Sequence, residues 1–112
     1  MVIHGSVLIS AQAPIEAMEI RVRLEDTTML DGPSLTIAET YCRVAPGQVA
    51  PIDFELVVPE ERIDQRRRYS LSARAEIPGE ALFATVQSYP WLAHEEKFHR
   101  LEMRDLTSKR GG

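Results

Sequence analysis

Apolar residues recur at every second position through most of this chain, a period that places alternate side chains on one face of a half-buried strand. In MEIRVRLED (18–26), Met18, Ile20, Val22 and Leu24 face one way while Glu19, Arg21, Arg23 and Glu25 face the other. VIHGSVLISA before it alternates through Ile3, Gly5, Val7 and Ile9, with Gly5 marking either a bulge or a close backbone approach. IDFELVV sets Ile52, Phe54, Leu56 and Val58 against Asp53, Glu55 and Val57, and RYSLSARAEI sets Tyr69, Leu71, Ala73, Ala75 and Ile77 against Ser70, Ser72, Arg74 and Glu76. LTIAETYCRVA (35–45) is β-rich, ALFATVQSY (81–89) returns from the PGE turn at 78–80, and FHRLEMRDL (98–106) closes the series with weaker alternation.

Turn-forming residues separate these runs. Asp31-Gly32-Pro33 ends a loop after the second strand, and APGQ at 45–48 supplies another break. PEERIDQRRR offers Pro59, Glu60 and Glu61 as a helix start, but it is too short for a core helix. Strands without a long helix to cross between parallel neighbours predict an all-β fold, a single antiparallel β-sandwich of about seven strands. It is expected to be one domain over residues 1–107, with a flexible tail at 108–112.

Composition agrees with one core. Of 112 residues, 44% are hydrophobic and 27% charged, enough apolar surface for burial to offset chain entropy. A net charge of −4 leaves no general field for phosphates, so nucleic acid is not an expected partner. No run approaches the ~20 apolar residues that cross a bilayer, and MVIHGSVLIS lacks the basic start and apolar core of a signal peptide. The chain therefore reads as soluble, without membrane insertion. Nothing in the pattern fixes an oligomeric state.

Candidate chemistry is sparse. HEEKFH (94–99) nearly spells a zinc-protease motif, but Phe98 stands where the second histidine is needed. The stretch reads instead as a polar connection to the last strand, which Phe98 begins, with both histidines facing solvent. The single Cys42 excludes an internal disulfide, and within TYCRV it sits inside a strand as a small apolar side chain rather than a nucleophile. Asp26, Asp31, Asp53, Asp64 and Asp105 lack calcium-loop spacing and read as caps, turns and surface. No catalytic residue, metal ligand or cofactor is assigned.

Two features suit recognition. Arg66, Arg67 and Arg68 form the chain's basic run, read either as a solvated turn or as a patch for an acidic partner. Trp91, in SYPWLAH, either closes the end of the core or anchors a partner. These four residues make up the expected interaction surface.

VRLED at 22–26, IAE at 37–39, GQVAPIDFEL at 47–56, YSLSAR at 69–74 and GEALFAT at 79–85 together resemble the YbaY and YscW family of bacterial lipoproteins, which includes pilotin-like chaperones of type III secretion. The resemblance runs from about Ile3 to Leu106. It implies a non-enzymatic β-sandwich, held at the outer membrane by an N-terminal lipid, of a kind that helps localise or assemble a secretin ring. Leu24, Asp26, Pro51, Phe54, Tyr69, Leu71, Ala73 and Arg74 fall on the family's recurring positions. One departure is that no lipidation cysteine precedes Ile3, which leaves a soluble cytoplasmic relative as the alternative to a periplasmic or outer-membrane protein. The expected function is a protein-binding or chaperone-like module whose partner is a secretion or envelope component, engaged by a sheet edge or a groove. The alternative is a small-ligand or carbohydrate-binding sandwich with Trp91, Tyr89 and Tyr69 as stacking residues.

Overall fold

The computed structural model describes residues 1–9, 18–29, 31–45, 51–77, 81–93 and 95–106. His94 and the tail from residue 107 onward lie outside this set. Eight strands follow in order: β1 (Val2–Ile9), β2 (Met18–Asp26), β3 (Leu35–Val44), β4 (Ile52–Val57), β5 (Tyr69–Ile77), β6 (Ala81–Thr85), β7 (Tyr89–Trp91) and β8 (His99–Asp105). A 3-10 turn, Glu60–Arg62, stands where the sequence offered a helix start. The all-β expectation holds.

The sandwich does not. The strands form one continuous sheet in the order β3-β2-β5-β6-β8-β1-β4, with β7 on the flank of β5. The sheet curls until its end strands β3 and β4 approach within 8 Å between Cα atoms, so it is a nearly closed barrel. Nor is it wholly antiparallel, because β1 and β8 run parallel, with Gly5 opposite His99 and Val7 opposite Leu101. Parallel neighbours need a long crossover. Here nearly the whole chain serves as one, and alternation alone carries no trace of it.

The extra strand comes from splitting 81–89. β5 is long enough to pair with β2 along one side and, along the other, with β6 at Arg74–Ile77 and with β7 at Tyr69–Leu71. Between them the chain leaves the sheet at Val86–Ser88.

Alternation placed the core correctly. Val7, Ile20, Val22, Leu24, Val44, Leu56, Leu71, Leu101 and Met103 are fully enclosed, each large aliphatic contributing about 1.5–3 kcal/mol by burial. Gly5 belongs to this packing rather than to a bulge: a Cβ there would collide with the His99 carbonyl and the Phe54 ring. The register of β2 against β3 shifts between Leu24 and Glu25.

The open seam is guarded at one end. Arg62 donates from Nη1 to the Ile37 carbonyl at 2.8 Å and from Nη2 to the Thr36 carbonyl at 3.5 Å, both on β3. Further along, the Cys42 thiol donates to the Asp53 carbonyl of β4 at 3.7 Å, and its burial pushes the thiol pKa up. Cys42 is therefore packing between the end strands, as its place inside a strand implied.

Candidate functional site

The arginine run occupies the connection between the 3-10 turn and β5, and its shape follows from two aspartates. Asp64 opens a tight turn: its carbonyl accepts from the Arg67 amide at 2.9 Å, and its Oδ1 accepts from the Arg66 amide at 2.9 Å. The Arg66 guanidinium also closes on the same carboxylate, at 3.1 Å from Nε and 3.0 Å from Nη2. The side-chain bonds from Arg66, then the backbone one, pull the Asp64 pKa down to about 2. Arg66 is itself 90% exposed.

Asp26 holds the rest of the run from β2. Its carboxylate is 6% exposed and accepts from the Thr28 hydroxyl at 2.6 Å, the Thr28 amide at 3.0 Å and the Arg67 Nε. Burial alone would raise the Asp26 pKa, but the Thr28 and Arg67 hydrogen bonds outweigh it and hold the carboxyl below its ordinary value. Arg68 is clamped by its backbone: its carbonyl accepts from the Thr27 amide at 2.8 Å, and its amide donates to the Thr28 hydroxyl at 2.9 Å. Among the described residues the Arg68 guanidinium has no ion pair.

Pairing of β7 with β5 then brings Trp91 beside the run. Tyr69 lies opposite Trp91 in the register, and their rings meet edge to face at 5.9 Å between centroids and 77° between planes. Trp91 is 5% exposed, so most of the indole closes the core. The Tyr69 hydroxyl is occupied too, accepting from the Asp64 amide at 2.8 Å and donating to the Arg62 carbonyl at 3.4 Å. Tyr89 accepts from the Glu102 amide at 2.9 Å. Trp91 and Tyr69, two of the three aromatics that could have stacked on a sugar, have their rings buried in the fold.

A hollow of about 520 Å³ results, with Arg67, Arg68, Tyr69, Pro90, Trp91 and Leu92 among its walls. Leu92 is an exposed apolar side chain at its rim. The structure thus gathers Arg67, Arg68 and Trp91, while Arg66 lies outside the lining. A second hollow, of about 700 Å³, shares Trp91 and is walled by Met1, Val2, His4, Phe98 and His99 among others.

Residues 95–99 of the near-motif line that second hollow, whereas the expectation that His94 faces solvent lies outside the described residues. The last strand begins at His99 rather than Phe98, which is 45% exposed. His99 does not face solvent: it is 6% exposed, because the strand period that turns Leu101 and Met103 inward turns His99 inward as well. Burial lowers its pKa, Lys97 lowers it further and Glu95 opposes both. Among the described residues no three His, Cys, Asp or Glu side chains gather as a metal site.

Sequence reading missed the role of Asp26, although a signal was present. Asp26 continues the inward phase of Met18, Ile20, Val22 and Leu24, and a carboxylate in phase with a core face needs an internal partner. That the partner is Arg67, 41 residues away, could not be read from the chain.

The arrangement has the features of a binding module: one nearly closed sheet, a filled interior, and hollows on the outside near a rigid basic turn. The family described as "Type III secretion system lipoprotein chaperone (YscW)" matches residues 1–103, and the chain belongs to this family. A solved structure of an alternative pilotin from the type II secretion system of Vibrio cholerae is similar over 96% of this chain and 98% of its own, with 27% identity and a TM-score of 0.81. No curated protein matches the sequence.

Proposed function

We propose that this protein is a non-catalytic chaperone of the pilotin kind, which binds a secretin or another secretion component through the hollow beside its arginine turn. The observation that carries the site is the convergence of Arg67, Arg68 and Trp91 on one hollow with an exposed apolar rim at Leu92. Family membership and the likeness to a pilotin support the kind of partner. An envelope location follows from the same family and is part of this proposal.

The turn is suited to recognition because it is already ordered. Asp26, Asp64, the Thr27 amide and the Thr28 hydroxyl fix it in the unbound protein, so little entropy is lost on docking. Arg68, whose guanidinium makes no ion pair among the described residues, then offers it to a carboxylate on the partner. A sheet edge is the poorer route. Inserting a strand needs roughly 9–10 Å between its flanking neighbours, more than the approach of β3 and β4 leaves.

The test uses the single tryptophan as reporter. Titrating a purified secretin segment should change Trp91 fluorescence saturably, and Arg68→Glu should weaken binding by about tenfold or more, the effect of reversing one charge-assisted contact. The thermal midpoint should stay unchanged. Undiminished binding by Arg68→Glu and by a Leu92→Asp variant would exclude this hollow as the site.

A further inference from the structure

On the outer face of the sheet, strand register sets a row of side chains well away from the arginine turn. Tyr41 of β3 lies opposite Arg21 of β2, Arg21 opposite Arg74 of β5, Arg74 opposite Ala84 of β6, and Ala84 opposite Arg104 of β8. Two arginines directly across a strand pair repel each other. Such a pair persists only when its charge is compensated.

Arg74 is compensated by Glu76, at 3.0 Å from Nε. Arg23 in the adjoining row is held by Glu39 at 3.0 Å. The other carboxylates nearby are engaged as well: Glu25 accepts from the Ser34 hydroxyl at 2.6 Å and from the Ser72 hydroxyl, and Glu39 accepts from Tyr41 at 3.2 Å. Glu19 lies across from Arg43 in the register. Arg21 remains. Its Nε is buried without a hydrogen-bond partner, and among the described residues it makes no ion pair.

The small side chain of Ala84 leaves space beside this pair. A hollow of about 270 Å³ has Arg21, Arg23, Glu25, Ser72, Arg74 and Thr85 among its walls, where the arginines outnumber the carboxylate, and another of about 220 Å³ is walled by Glu19, Arg21, Tyr41, Arg74 and Glu76. A buried guanidinium donor without a partner is costly. An anion entering here would lie against both arginines and offset their repulsion.

We infer that Arg21 and Arg74 form a binding site for a phosphate-type oxyanion, distinct from the arginine turn. A carboxylate presents one plane, which a single guanidinium saturates in bidentate fashion, whereas a tetrahedral phosphate offers oxygens to two guanidinium groups at once. The neighbouring Thr85 hydroxyl, which accepts from the Ala73 amide, can donate to a remaining oxygen.

The test follows the Nε–Hε resonance of Arg21 by NMR in the whole protein. Titration with inorganic phosphate should move it saturably, and chloride at equal ionic strength should not. Arg74→Gln should weaken the effect by about tenfold, as expected for losing one charge-assisted contact, and Arg21→Gln should remove the saturable shifts of the Ser72 and Thr85 amides. Co-sedimentation with phosphatidylglycerol vesicles, against phosphatidylcholine, separates the sources. Arg21-dependent sedimentation assigns a lipid headgroup, and phosphate shifts without sedimentation assign a soluble phosphate. Equal response to chloride, or shifts unchanged in Arg74→Gln, would overturn the site.

Discussion

Asp26 shows how one side chain can set the shape of the turn that leads into the neighbouring strand. Its carboxylate is shut from solvent yet carries its charge, because Thr28 and Arg67 solvate it in place of water. Asp26→Asn should cost about 1–3 kcal/mol, the range for a buried hydrogen-bonding group left imperfectly paired, measured by chemical denaturation. The pH dependence has a fixed sign. The folded-state pKa of Asp26 lies below 3.8, so its contribution is complete above that value and is lost as pH falls through the folded pKa, where the unfolded chain binds the proton first. Asp64, held at about 2, acts in the same direction. The acid limb of the stability profile should therefore be shallower in Asp26→Asn.

His99 acts in a different window. Its pKa is depressed below 6.5, so as pH drops through that value the unfolded chain takes up a proton that the folded chain refuses. Stability should decline as pH falls below about 6.5 and decline less in His99→Gln, read from denaturant midpoints. Its strand neighbour Gly5 has no such latitude. Gly5→Ala should destabilise by about 1–3 kcal/mol or prevent folding, since overpacking here meets a backbone carbonyl as well as a ring.

At the scale of elements, β5 organises the molecule. It carries the inward series Tyr69, Leu71, Ala73 and Ala75, pairs with three strands, and supports both the arginine turn and Trp91. The 3-10 turn has a smaller task, which is to cover one end of β3. Arg62→Ala should expose the Thr36 and Ile37 carbonyls and speed hydrogen exchange in the first half of β3, with a stability loss of about 1 kcal/mol. Unchanged exchange there would show that Arg62 does not guard the edge.

For the whole molecule, closure of the sheet decides what surface is left for function. A curled sheet with its end strands side by side has little free edge, and its interior is filled by side chains such as Leu24, Leu56 and Met103. Recognition is therefore left to the outside and to the ends of the barrel. With a net charge of −4, attraction of an acidic partner depends on local arginines rather than on the overall field. Binding through Arg68 should weaken as salt rises, since an exposed charge contact is screened.

Much of this was legible in the chain, and the limits fall at identifiable residues. Alternation determined the strands, their inward faces and hence the core, because a period of two leaves only one dry side. It also placed Cys42 inside a strand. It could not show that Val86–Ser88 leaves the sheet, that β1 lies parallel to β8, or that Asp26 meets Arg67, since each depends on which distant segments become neighbours. For the same reason the sequence supplied Arg66, Arg67, Arg68 and Trp91 as separate candidates. Only the tertiary structure decided that two of the arginines share a hollow with Trp91 while the third points to Asp64: local pattern fixes which face of a strand is buried, but strand pairing fixes what lies beside it.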